Sequence, residues 1–380
     1  MRKAVVVALA CLGVGGCSSG SSTSGTSEVD LSGTATDGTG GSAAAGGSGE
    51  GSGAVATGSP SSTGNGDGTA VGDDAGTTQG EAGVLTEGMW DDNLNYDFFT
   101  TYLSGKATLA GNPGFETSDY DAAHAQSATR SPKTVVDAVL VLDSTGSMGD
   151  EMAYLTAEFA NIGTAISAAY PNADQRWALV LYRDRPDTDP GDEYIVKHYD
   201  FTSDLGSFSM TIAGQTAANG GDTPESPDLG LEELQKLSWR EGDSVARVAF
   251  WVADAPDHVN EASALKQAIL DTQTLGVHIY PVAASGTDDL LELSMRSAAQ
   301  LTGGRYGFLT DDSGIGDPHK VPEIPCFFVT RLEQGLVRAI GMELSGTYIP
   351  PASDTILRTA GNPSAAGQCS ITGGQTVTIF

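Results

Sequence analysis

Val135-Val136-Asp137-Ala138-Val139-Leu140-Val141-Leu142 runs straight into Asp143-Ser144-Thr145-Gly146-Ser147-Met148. The first eight residues are almost continuously apolar. That is the pattern of a strand buried on both faces, as in the middle of a parallel sheet. The next six place one carboxylate and two hydroxyls in a tight turn at that strand's carboxyl end. Residues 151–170 follow with Leu155, Phe159, Ile162 and Ile166 at helical spacing, so a strand, a polar turn and a helix come in sequence.

The alternation continues outward. Strands are predicted at 177–182, at 194–199 on a sheet edge, at 245–253 and at 277–283. Helices are predicted at 227–237, 260–275 and 288–301, the last closed by Gly303-Gly304. A final helix is predicted over 327–344, with Val329, Leu332, Leu336 and Ile340 on one face. The fold class expected is therefore α/β, a doubly wound, Rossmann-like, mostly parallel sheet spanning 134–344. In such sheets ligands sit at the carboxyl ends of the strands, where Asp143 falls.

A carboxylate with two hydroxyls is a hard-oxygen donor set of low charge. It suits Mg²⁺ or Mn²⁺, ions that keep several waters and favour octahedral geometry. The aspartic-protease D-T-G does not fit, because Ser144 separates Asp143 from Thr145 and no second copy exists. Phosphorylated-aspartate enzymes need D-K-T-G-T; the second position here is Ser144. No H-E-x-x-H spacing occurs among the five histidines, so a zinc hydrolase is unsupported.

Two further segments complete a pattern. Gly220-Gly221-Asp222-Thr223-Pro224-Glu225 precedes a predicted helix, and Val252-Ala253-Asp254-Ala255-Pro256-Asp257-His258 follows a predicted strand. In this order, D-x-T-x-S, G-G-D-x-P-E and D-A-P-x-H, the chain resembles the von Willebrand factor type A family over 134–344. The integrin β-subunit I-like branch is the most similar. The resemblance implies that Asp143, Thr145 and Ser147 line a metal-ion-dependent adhesion site, with Glu225 as the next ligand and Asp254 completing it through water. Thr223 is the alternative ligand, used in many type A domains. The resemblance further implies an adjacent Ca²⁺ on Asp150 and Glu151, which can equally be read as acids favouring the helix dipole. A third cation would take Asp184, Asp222, Glu225 and the carbonyl of Pro224, with Gly220 where that branch has Asn.

The N-terminal part reads differently. Arg2 and Lys3 precede a short apolar core, too short to span a bilayer as a mature helix. Val14-Gly15-Gly16-Cys17-Ser18 then resembles a bacterial lipobox, so 1–17 is expected to be a lipoprotein signal and Cys17 the lipidated residue. Residues 18–83 are Gly, Ser, Thr, Ala and Asp with few large apolar side chains. Such a stretch buries too little to offset its ordering entropy and is expected to be a flexible tether, with a reach of about 45 Å. Residues 84–133 are expected to give a short aromatic helix, capped by Asp91 or Asp92, and a connecting loop. A calcium loop on Asp91, Asn93, Asn95 and Asp97 fails because Tyr96 and Tyr102 stand where Gly and Glu are needed. Residues 345–380 form an extension with no clear pattern.

Nineteen Lys and Arg against 49 Asp and Glu give a formal net charge of −30. That excludes phosphate-backbone recognition, so nucleic acid is not an expected partner. Besides Cys17, and Cys11 inside the leader, only Cys326 and Cys369 occur; in an exported protein that pair is expected to be a disulfide. The function expected is capture of a partner protein that offers an Asp or Glu carboxylate to the metal, at the bacterial cell envelope (outer membrane or surface) on a lipid anchor. No nucleophile–base pair appears, so no enzyme is expected. The alternatives are an accessory or assembly subunit of a surface complex and a Mg²⁺-dependent hydrolase.

Overall fold

The structure is a computed structural model that describes residues 84–127, 130–185, 193–221 and 223–379. Cys17, the 18–83 stretch and Asp222 lie outside the described residues. The chain forms the expected α/β doubly wound sheet, with nine strands in the order β4-β3-β2-β5-β6-β7-β1-β8-β9. At its centre β2 (Val135–Asp143) pairs in parallel with β3 (Asp174–Tyr182) and with β5 (Val245–Ala253). The parallel set continues through β6 (Val277–Ala283) to β7 (Tyr306–Leu309). At one edge β4 (Val196–Thr202) runs antiparallel to β3, as expected for the edge strand.

Alternate residues of β2 face two helical layers. Ala138, Leu140 and Leu142 pack with Leu155, Phe159 and Ile162 of α3 (Gly149–Ala169) and with Leu336 and Ile340 of α8 (Leu332–Ser345). Val139 and Val141 belong to the opposite core, with Ile269 of α6 (Ala262–Thr274) and Met295 of α7 (Asp289–Thr302). The chain leaves β2 towards β3 on one side and later resumes at β5 on the other. The crevice between the carboxyl ends of β2 and β5 is thus the switch point of the sheet.

Several local expectations need correction. Residues 327–344 are not one helix: Phe327–Arg331 is strand β8 and the helix starts at Leu332. Phe327, Phe328, Val329 and Thr330 favour extended backbone, and their places on a helical wheel disguise it. Thr86–Trp90, within the stretch expected to hold only a short helix and a loop, is strand β1, paired antiparallel with both β7 and β8. Its Gly88 leaves room for the Phe308 ring, which a Cβ would strike. The aromatic helix α1 spans Tyr96–Lys106. Asp91 caps only the turn before it, accepting from the N–H groups of Asn93 (2.8 Å) and Leu94 (3.2 Å). Asp92 instead accepts from the Trp90 indole and from Arg296.

The stretch read as loop contains α2 (Thr117–Ser127), which buries only Tyr120 and Ala123 and so carries almost no apolar stripe. Helix α4 (Leu205–Ala213) was not expected; Asp204 caps it by accepting from Gly206 and Ser207 N–H. A short helix α5 (Pro227–Glu232) continues as a 3₁₀ turn over Glu233–Lys236. In the C-terminal extension, β9 (Arg358–Ala360) adds the last strand of the sheet, and β10 (Gln368–Ser370) pairs with β11 (Thr376–Thr378). The expected Cys326–Cys369 disulfide is present, with Cα atoms 6.3 Å apart.

Candidate functional site

The turn after β2 is built around Asp143, whose side chain is fully buried. Its Oδ1 accepts from the Thr145 N–H (3.0 Å) and the Thr145 hydroxyl (2.7 Å), which folds the turn back on the strand end. Its Oδ2 is buried with no hydrogen-bond partner. The Thr145 and Ser147 hydroxyls stand 3.2 Å apart. Ser144 points elsewhere, donating to the Tyr182 carbonyl (2.8 Å), so alternate residues of the turn divide between site and scaffold.

The other two motifs reach the same place. Gly146 N–H donates to the Asn219 carbonyl (2.7 Å), joining the turn to the loop that carries Glu225. Gly220 has φ +92°, and a Cβ there would lie 2.6 Å from Thr145 Cβ and 2.8 Å from Glu225 Oε1. A residue with any side chain would therefore separate Thr145 from Glu225. Glu225 is buried, and its N–H donates to the Pro256 carbonyl (3.0 Å) beyond β5. Thr223 is exposed. Asp254 lies just beyond β5, near enough to Ser147 for that hydroxyl to favour its charged form, and its Oδ1 is buried without a partner.

Burial, and then the nearby charge of Asp254, push the Asp143 carboxyl up to about 8. Burial also raises Asp254, to about 6, against the lowering effect of the Ser147 hydroxyl. Two acids crowded at a switch point resist ionising together.

The remaining candidates separate. Asp150 is exposed, whereas Glu151 is buried and accepts from the Ser285 N–H (3.2 Å) and the Ser285 hydroxyl. Asp184, fully buried after β3, accepts from His258 Nε2 (2.6 Å) and from the Ser226 hydroxyl (3.1 Å). Arg185 reaches the Ser226 hydroxyl (2.7 Å) and grips both carboxylate oxygens of Asp228. The linking roles of Ser226, Asp228, Arg185 and His258 carry no signal in the sequence. Beside these loops runs a groove of ≈670 Å³ lined by Leu109, Pro224, Pro256, Val259, Leu290 and Lys320.

A second cleft, of ≈600 Å³, lies at the opposite end of the sheet and gathers Arg130, Lys133, Arg247 and His278. Its arginines serve helix ends. Arg247 donates to the Leu275 carbonyl behind α6 (3.2 Å) and Arg130 to the Gly303 carbonyl behind α7. Cations placed there satisfy the orphan carbonyls and the negative ends of the helices.

No family model matches the chain. A stretch of 126 residues is 29% identical to a putative ariadne-like RING finger protein of Acanthamoeba polyphaga mimivirus; it is 33% of this chain and 12% of that protein. Among solved structures, the pilus adhesin SpaC of Lactobacillus rhamnosus GG in its open conformation is similar at a TM-score of 0.34 and 12% identity, over 46% of this chain and 27% of that one. The conserved hypothetical protein BatB of Bacteroides thetaiotaomicron gives 0.36 and 13%, over 55% and 98%. An aerotolerance-related membrane protein of Bacteroides fragilis gives 0.33 and 13%, over 48% and 94%. Scores this low leave function to be argued from the site. The fold itself is the expected doubly wound α/β sheet, with the three motif segments at its switch point.

Proposed function

We propose that this is an envelope protein whose type A-like domain captures a partner protein through one divalent cation, Mg²⁺ or Mn²⁺. Asp143, Thr145 and Ser147 would hold the ion, with Glu225 and Asp254 beside them. The observation that carries the reading is the pair of buried carboxylate oxygens, Asp143 Oδ2 and Asp254 Oδ1, that lack a hydrogen-bond partner at the switch point. A buried anionic oxygen without a donor is costly, and a hard cation held between these two strand ends would satisfy both. Among the described residues no three carboxylate, imidazole or thiol side chains form a ready metal cage. The donor set here is different in kind, with two hydroxyls among its oxygens.

When bound, the ion supplies an open position that a partner's Asp or Glu carboxylate can fill. The protein's own contribution is to fix the turn through the Asp143–Thr145 bonds and to exclude water around the two acids. The exposed Val259 and the apolar groove beside it offer contact area for the rest of such a partner. Burial of Glu225 and exposure of Thr223 favour Glu225 as the ligand from that loop. We assign no catalysis to this set, since it contains no nucleophile paired with a base; a broad hydrolase screen of the metal-loaded protein checks that. A further part of the proposal is lipid anchoring at Cys17, for which mass spectrometry of the mature N-terminus should show an acylated cysteine. Capture of envelope or target-cell proteins should require Mg²⁺ and be lost in EDTA. Capture of the same partners at equal yield in EDTA would contradict the proposal.

A further inference from the structure

The resemblance sets a third cation on Asp184, near Pro224 and Glu225, and the residues present do not suit one. The Asp184 carboxylate already receives the His258 imidazole at 2.6 Å and the Ser226 hydroxyl at 3.1 Å. At the position where that branch offers an Asn, this chain has Gly220, and a Cβ there would press on Thr145 and Glu225. No side-chain donor can stand at that point without displacing the turn.

We infer that His258, Ser226 and Arg185 form a side-chain clamp on Asp184 and Asp228 that does the work of a third cation, so that this chain holds its site loops together without that metal. The inference rests on the proposed adhesion site for its frame, but its outcome is independent of that site's occupancy. The clamp joins three loops. Asp184 and Arg185 follow β3, Ser226 follows Glu225, and His258 lies four residues beyond Asp254. Each loop is fixed locally as well: His258 N–H donates to Asp257 (2.8 Å), the His258 carbonyl receives Glu261 N–H (2.8 Å), and Arg185 grips Asp228 at the start of α5. A buried carboxylate must be matched by charge or by donors. A metal ion and a pair of donors are two solutions to that one requirement. In this role His258 is a positioning residue for the loops that carry Glu225 and Asp254.

The test counts bound Mn²⁺ per full-length chain at saturating metal, for the parent and for Asp184→Asn, His258→Ala and Asp143→Ala. Asp184→Asn is expected to bind as many ions as the parent, because no ion sits there. In EDTA, His258→Ala should melt at least about 3 °C lower and exchange the amides of Glu225, Ser226, Asp257 and His258 about tenfold faster. His258→Gln, which keeps a donor, should recover part of both losses. One ion fewer in Asp184→Asn than in the parent overturns the inference, as does unchanged amide exchange in His258→Ala in EDTA. An unchanged ion count in Asp143→Ala strikes the proposed adhesion site alone and leaves the clamp to be judged on the other variants.

Discussion

Asp143 and Glu343 are both fully buried acids, and the protein treats them in opposite ways. Burial raises Asp143 to about 8, and Asp254 adds to the effect. Burial also acts to raise Glu343, but the His278 and Arg130 charges beside it hold its carboxyl well below the usual carboxylate range. Glu343 has Arg130 at 2.5 Å, His278 at 2.7 Å and the Tyr280 hydroxyl at 2.5 Å. Asp92 is likewise met by Arg296, through two nitrogens at 2.7 and 3.0 Å. At Glu343 and Asp92 this chain thus supplies cations to buried acids; Glu87 is an exception, raised by burial against the charge of Arg338. At the carboxyl ends of β2 and β5 it places acids together and supplies hydroxyls and backbone N–H groups. The difference marks one end of the sheet as a place where a cation from outside is wanted.

The largest effect should come from breaking the matched end. Glu343→Ala leaves Arg130 and His278 facing a buried gap and is expected to cost about 3–5 kcal/mol, the usual penalty for orphaning a buried partner. Urea unfolding measures it. A loss below about 1 kcal/mol would remove the contrast between the two ends, because it would mean that the cations were not needed there.

A smaller loss is expected from Gly335→Ala in α8. A Cβ at this position would land on Glu87 Oε1, a carboxylate that the helix covers. Overpacking of that kind costs about 1–3 kcal/mol, against the gain of a few tenths or more that Ala normally brings to a helix interior. An increase in stability would show that Glu87 can move aside.

The unmatched end should reveal itself through pH. Asp143 and Asp254 have folded-state values above the ordinary 3.8. Over that window the folded protein therefore holds more protons than the unfolded chain, and stability falls as pH rises from about 4 towards 8. In EDTA the melting temperature should be lower at pH 8 than at pH 5 by about 3 °C or more. Saturating Mg²⁺ should remove the share of the slope due to Asp143 and Asp254, leaving that of Asp257 and Glu158, which burial also raises, so its stabilising effect should be greatest at pH 8. An EDTA profile that rises through this range would contradict the assignment.

The contrast also explains what could be read from the sequence. Strands β2, β5 and β6 are nearly continuous apolar runs, broken inside by Asp137, Arg247 and His278, because both of their faces are largely buried, and their limits are legible to within a residue. So are the Asp143 turn and its place at a carboxyl end. Strand β1 was not legible. It is five residues long, includes Gly88, and is buried only because β7 and β8 close on either side. The start of α8 was hidden because Val329 stands three residues before Leu332, a spacing that suits a helix. Pairings such as His258 with Asp184 join residues 74 positions apart through loops, and local periodicity carries no trace of them. The candidate ligands were named from three short motifs. What the sequence could not tell was which acids already had protein partners: Asp184 does, and Asp143 Oδ2 does not.

The most direct measurement of the central claim is a calorimetric Mg²⁺ titration of Asp143→Ala beside the parent, with Glu225→Ala and Thr223→Ala for comparison and melting temperatures taken in EDTA. The account predicts that Asp143→Ala weakens Mg²⁺ uptake at least about 100-fold, since changes even to outer-shell groups cost 10- to 100-fold, while melting in EDTA at or above the parent's temperature because one of two crowded acids is gone. Glu225→Ala should weaken uptake more than Thr223→Ala. Mg²⁺ uptake by Asp143→Ala equal to the parent's would contradict the account.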